Sequence, residues 1–144
     1  MTTTNHQPVA ADVVAGLRSA TTDPGDLLCI ELLAADGYWW TRQDFIDSCV
    51  TWFDDVPTFD PAEAINVAHL DRRASESHLA FLRLALSFAL IYEVAFYDTI
   101  RHLDRHQLVL VLIAIARQSR HSAPITVDGC LRTRLPFDDR EVRR

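Results

Sequence analysis

The sequence predicts an all-α protein: a single-domain bundle of five or six helices with a long central helix and a flexible basic C-terminal tail. Three observations predict it. Apolar residues recur every three or four positions in one window after another, the repeat of a helix with one face in a core. The boundaries between windows carry helix-start and helix-stop chemistry, above all Asp23-Pro24, Asp60-Pro61 and Gly37. The stretch 75–120 holds nearly all the long apolar runs, so the other windows have a common element to pack on. With 144 residues the chain is long enough for one real core. The expected division is a helical domain over 1–121 and an extended or partly disordered tail over 122–144.

The elements follow in order. Residues 1–7 are polar and predict disorder. Val9, Val13, Val14 and Leu17 predict a short amphipathic helix over 8–20. Asp23 or Asp26 caps a second helix, whose wide stripe of Leu27, Leu28, Ile30, Leu32 and Leu33 runs to about Ala35 before Gly37 stops it. Thr41 and Asp44 fit a capping pattern for a third helix carrying Phe45, Ile46, Cys49, Val50, Trp52 and Phe53. Asp60-Pro61-Ala62-Glu63 opens a fourth, with Ile65, Val67, Ala68 and Leu70 on its apolar side. Ser75 or Ser77 caps the long helix, expected over 76–103 and about 40 Å long. Asp104 caps a last helix over 105–120. Its run Leu108–Ala116 is apolar throughout and also fits a buried strand, but no clear partner strand lies nearby, so helix is preferred.

Composition narrows the function. All 14 basic residues are arginine, which codon usage in a high-GC genome explains more simply than chemistry does. Residues 1–116 carry 16 acids and 7 Arg, while 117–144 carry 4 acids and 7 Arg. An acidic body argues against direct nucleic-acid binding, which needs a basic face. Cys29, Cys49 and Cys130 have no zinc or disulfide spacing. The N-terminus lacks a signal-peptide pattern, and the longest apolar run, 79–97, is interrupted by Arg83, Ser87 and Glu93. The expectation is a cytoplasmic protein with no membrane contact and no cofactor. His69-Leu70-Asp71-Arg72 is echoed by His102-Leu103-Asp104-Arg105, but the flanks do not match, so two similar helix ends explain the echo better than a repeat.

Four groups of residues are candidates for function. Tyr38, Trp39, Trp40 and Phe59, with Asp44, Asp47, Asp54 and Asp55, form an acidic aromatic segment that suits a protein partner with a basic, apolar groove. Core packing of the aromatics is the competing reading, and one of the adjacent Trp39 and Trp40 is expected to stay partly exposed. Leu90 and Val94 interrupt the wet side of the long helix and mark a possible homodimer surface. Glu93 falls on the apolar stripe, where it would need His69, Arg72 or Arg73 as an ion-pair partner. Asp98, His102 and His106 have the helical spacing of a metal site, but the general base of a His-Glu-x-x-His motif is missing. No phosphate-binding glycine loop and no catalytic triad is readable.

Gly37-Tyr38-Trp39-Trp40-Thr41-Arg42-Gln43-Asp44-Phe45, with Ala74-Ser75-Glu76-Ser77 and Leu82-Arg83-Leu84-Ala85, resembles uncharacterised small helical proteins of high-GC actinobacteria and their phages. The resemblance covers roughly residues 27–90. It implies a cytoplasmic origin and brings no activity with it. The expected function is therefore a non-enzymatic protein–protein interaction module or small regulator, for example a phage-type modulator of a host protein. The alternatives are a metal-dependent enzyme built on Asp98, His102 and His106, and an acidic nucleic-acid mimic.

Overall fold

Local capping chemistry sets most of the element boundaries. The computed structural model describes residues 10–89 and 92–118. Helix α1 (Ala10–Ala20) buries Val13, Val14 and Leu17. Helix α2 (Pro24–Asp36) starts where the Asp23 carboxylate accepts the Gly25 and Asp26 backbone N–H groups, and Pro24 needs no partner for a missing N–H. It stops at Gly37, whose φ of 78° is left-handed and whose N–H reaches back to the Leu33 carbonyl. A 3-10 turn (Trp39–Thr41) leads into α3 (Gln43–Cys49). Asp60 caps α4 (Pro61–Leu70) as Asp23 caps α2, and Ser75 accepts the His78 N–H at the start of α5 (Glu76–Phe88). Two further helices follow, α6 (Phe96–Ile100) and α7 (Arg105–Gln118).

Helices account for 71% of the described residues, and a two-stranded antiparallel sheet, β1 (Val50–Phe53) and β2 (Val56–Phe59), is the rest of the regular structure there. The chain is thus largely α-helical, as its periodicity predicts. No described helix is long and apolar enough to cross a membrane.

The centre of the fold is α2, not the stretch 76–103. Leu28, Cys29, Ile30, Glu31, Leu32 and Leu33 are all buried, and α2 packs against α1, α5 and α7. A helix apolar on every side needs neighbours all round, and α2 has them. The core fills with Trp39, Phe45, Phe81, Leu82, Leu86 and Leu110.

The long helix over 76–103 does not form. Helix α5 ends at Phe88, residues 92–95 are outside any regular element, and α6 is a separate five-residue helix. The Ser87 hydroxyl donates to the Leu84 carbonyl at 2.6 Å, and the Ala89 N–H closes the helix on Leu86 and Ser87. Such hydroxyl back-bonding competes with the helical ladder. The third helix also stops early. The expected helical residues Val50, Trp52 and Phe53 form β1 instead.

The last helix is helical through its β-branched run, and its start is a reciprocal cap. The Gln107 N–H donates to the Asp104 carboxylate at 2.8 Å, and the Asp104 N–H donates to the Gln107 side-chain carbonyl at 3.1 Å. Gln107, itself fully buried, also donates to Asp36 at the end of α2 at 3.0 Å. This bond fixes the start of α7 to the end of α2. The expected tail over 122–144 lies outside the described residues.

Candidate functional site

Among the described residues the β1–β2 hairpin carries three of the exposed large apolar side chains, Trp52, Phe53 and Val56. Its register pairs Val50 with Phe59, Thr51 with Thr58, Trp52 with Pro57 and Phe53 with Val56. Asp54 and Asp55 form the two-residue turn, with φ of 46° and 63°. Positive φ at both central residues is the type I′ geometry that matches strand twist, and Asp tolerates it better than most side chains.

Alternation sorts the side chains onto two faces. Val50, Pro57 and Phe59 are buried on one face, where Phe59 packs edge-on to Trp40 at 5.7 Å. Helix α1 lies against β2 so closely that a Cβ on Gly16 would come within 2.7 Å of Pro57 Cγ. Thr51, Phe53, Val56 and Thr58 share the other face and are exposed. Phe53 is 72% exposed, its cross-strand partner Val56 48%, and Trp52 on the inner face 45% because it lies beyond the edge of the core.

The electrostatics around the hairpin are one-sided. Between residues 43 and 71 lie seven acids and no arginine, in a chain with 14 arginines. Asp44, Asp47, Asp54, Asp55 and Glu63 are exposed. An open groove of about 540 Å³ between α3 and α4 is of mixed charge, with Asp44, Glu63 and Asp71 facing it together with Arg72 and Arg73, beside the 77% exposed Leu70.

The aromatic anchors expected from the sequence move accordingly. Trp39, Trp40 and Phe59 are core residues. Both tryptophans are buried because a 3-10 turn at a chain corner sends them in different directions. The Trp40 indole N–H donates to Ile30 on α2 at 3.1 Å, and the Trp39 indole N–H to His78 on α5 at 3.3 Å. Tyr38 is half-buried and stacks on His78 with ring centroids 3.7 Å apart. Asp44 and Asp47 are exposed but engaged: Asp44 by Arg42 and Arg73, Asp47 by the Gln43 amide at 2.7 Å. Of the expected surface, Asp54 and Asp55 stand free at the hairpin tip, and Trp52, Phe53 and Val56 replace the anchors. Their signal in the sequence was the alternation of 50–59 around an Asp-Asp turn.

At the ends of α3 and α4 away from the hairpin, Arg42 ties the start of α3 to the end of α4. Its guanidinium reaches Asp44 and Asp71, each at 2.5 Å, and lies 5.3 Å from the Trp39 ring and 5.6 Å from the Tyr38 ring. Hydrogen bonding from Arg42 holds the Asp44 carboxyl below the usual carboxylate range. Burial alone would raise Asp71, but bonds from the Arg73 N–H, the Arg42 guanidinium and the Ala74 N–H outweigh it and hold Asp71 low as well.

The remaining candidates are not brought into a site. Glu93 is exposed, because the helix whose stripe would have buried it ends before it. A carboxylate that is buried with an ion-pair partner is instead Glu31, 3% exposed and held by Arg18. Leu90 lies outside the described residues and Val94 is half-buried. Asp98 sits on α6 and His106 on α7, with His102 in the turn between them, where its N–H bonds the Thr99 carbonyl. Among the described residues no three His, Cys, Asp or Glu side chains come together in a group that could hold a metal. His106 instead contacts the Ala35 carbonyl at 3.3 Å. Cys29 and Cys49 are buried, and burial, followed by nearby Glu63, Asp60 and Asp44, pushes the Cys49 thiol up to about 12, far from a reactive thiolate.

Comparison with known proteins adds no further assignment: no family model, no curated protein and no solved structure matches the chain. The hairpin and its acidic surround therefore have to be read on their own chemistry.

Proposed function

We propose that this chain is a non-enzymatic protein–protein interaction module, a small regulator that docks through the tip of its hairpin. One observation carries the reading: Phe53 and Val56 form an exposed apolar cross-strand pair on a hairpin whose opposite face is anchored in the core. Exposed aromatics on a rigid support lose little conformational freedom on binding, which is why they serve as anchors. Asp47 on α3 and Asp54 and Asp55 at the turn, exposed and without an arginine partner, select a partner with a basic rim. A phage-type modulator of a host protein in a high-GC actinobacterium fits this description. The test is capture from such a host's lysate by the wild type and by the Phe53→Ser/Val56→Ser double variant. The wild type retains a partner that the double variant loses. Equal capture by both rejects the hairpin as the docking surface.

A second contact is supported by α6. It buries no residue, and it exposes Phe96 (47%) and Tyr97 (75%) close to Val94 in the chain. The homodimer expected through Leu90 and Val94 is proposed instead through Phe96 and Tyr97, since Leu90 lies outside the described residues and Val94 is half-buried. Light scattering on the wild type gives a dimer mass on this reading, and Phe96→Ser/Tyr97→Ser gives a monomer. A monomeric wild type rejects it.

A further inference from the structure

The hairpin has two outer edges, and they are not equivalent. The Asp60 N–H bonds the Cys49 carbonyl at 2.7 Å, which places a hydrogen-bonded pair at the base of the ladder. Antiparallel pairing alternates, so Thr51–Thr58 and Phe53–Val56 are hydrogen-bonded pairs, and Val50–Phe59 and Trp52–Pro57 are not. The peptide groups of residues 50, 52, 57 and 59 therefore point outward. On β2 that edge is closed twice over: Pro57 has no N–H to offer, and α1 packs against the strand. On β1 the Val50 N–H is already used by the Ile46 carbonyl of α3. The Val50 carbonyl and both peptide groups of Trp52 remain, and none of the described hydrogen bonds outside the strands involves them. Thr51, Trp52 and Phe53, the residues along this edge, are all exposed.

We infer that the β1 edge takes up an extended segment of a partner protein, which adds a third strand beside Val50–Phe53, and that the segment is basic. This rests on the docking surface proposed above and specifies how it binds. Strand addition uses the free backbone groups for affinity and alternate side chains for selection. The alternation puts one set of the partner's side chains over the exposed face of Thr51 and Phe53. The charge of the segment follows from the acids that flank the edge, Asp47 on α3 and Asp54 and Asp55 at the turn, with no arginine between residues 43 and 71 to oppose them. An exposed strand edge is otherwise an aggregation hazard. Common protections are lysine or inward charge on the strand itself, and Thr51-Trp52-Phe53 carries neither.

The probe is a phage-displayed library of random dodecapeptides selected on the full-length chain. Enriched peptides should alternate β-branched residues with Arg or Lys. A synthetic representative should slow amide hydrogen exchange at Trp52 about tenfold at saturation, and N-methylation of its edge-facing amides should weaken binding about tenfold or more. Trp52→Pro, which removes the outward N–H as well as the indole but no bond of the β1–β2 ladder, should weaken binding about tenfold beyond Trp52→Ala, which removes the indole alone. Bound peptides that tolerate N-methylation and leave Trp52 exchange unchanged overturn strand addition. If Phe53→Ser/Val56→Ser still loses its lysate partner in that case, docking through the hairpin stands and only its mode fails. No enrichment, or enriched peptides that map away from Thr51–Phe53, overturns the inference as well.

Discussion

Arg18 on α1 holds both carboxylate oxygens of Glu31 on α2, with Nη2 to Oε2 at 2.9 Å and a second, shorter bond from Nε to Oε1. Glu31 lies among the buried residues of the central helix, while the Arg18 side chain keeps 40% of its exposure. The pair fixes α1 across α2, and α1 in turn backs the hairpin. Arg18→Met leaves a buried carboxylate without its partner and should cost about 2–3 kcal/mol, below the full buried-pair penalty because Arg18 is partly solvated. Adding Glu31→Leu should restore most of that loss, because the stranded charge is then gone. Urea unfolding of the two single variants and the double variant measures the coupling.

Arg42, which joins the start of α3 to the end of α4, makes the fold's stability depend on pH. Asp71 and Asp44 both have depressed pKa values in the folded state. A depressed carboxyl contributes stability that is present above its unfolded value near 3.9 and is lost as pH falls through its folded value. The wild type should therefore lose stability in acid, below about pH 4. Arg42→Ala should cost about 3 kcal/mol near neutrality and flatten this acid limb. Arg42→Lys should recover less than half, because an ammonium does not bridge two carboxylates and two rings as a guanidinium does. Urea midpoints from pH 3 to 7 test both statements.

Asp36 behaves in the opposite sense. Burial raises its pKa against the opposing Gln107 bond, and one of its carboxylate oxygens is buried without a partner. It also ends α2, where negative charge opposes the helix dipole. A raised carboxyl destabilises the fold above its folded pKa, and that cost disappears as pH falls. Asp36→Asn should thus stabilise by about 0.5–1 kcal/mol at pH 7, with the gain shrinking towards pH 4. Thermal unfolding of the two proteins at both pH values checks the sign.

The three tryptophans separate the core from the proposed contact. Trp39 and Trp40 are buried and Trp52 is 45% exposed. Acrylamide should quench one component of the fluorescence, and Trp52→Phe should remove that component with less than about 1 kcal/mol of stability change. Trp40→Ala should instead cost about 3–5 kcal/mol.

The features that were legible in the sequence are local. Asp23-Pro24, Asp60-Pro61, Ser75, Asp104 and Gly37 set helix ends through bonds within a few residues, and each works as its residue type predicts. Long-range choices were not legible. Val50 to Phe53 satisfy a helical stripe and a strand equally well, and only the pairing with Val56–Phe59 decides between them. One of Trp39 and Trp40 was expected to stay partly exposed because a helix cannot bury two neighbours on one face, whereas a 3-10 corner buries both. Glu93 read as buried only while the helix was continued past Phe88. The Arg18–Glu31 pair joins two helices and has no local signature. The acidic character of the site was legible, since it depends on composition alone. Which aromatics face outward was not.

The most direct test of the central claim is comparison of partner capture by the wild type and by Phe53→Ser/Val56→Ser at matched stability. Both residues are exposed, so the double variant should fold like the wild type. The account predicts that it loses the partner while a control variant at an exposed apolar residue off the hairpin, Leu70→Ser, keeps it. Retention of the partner by the hairpin variant, with its fold confirmed, would contradict the account.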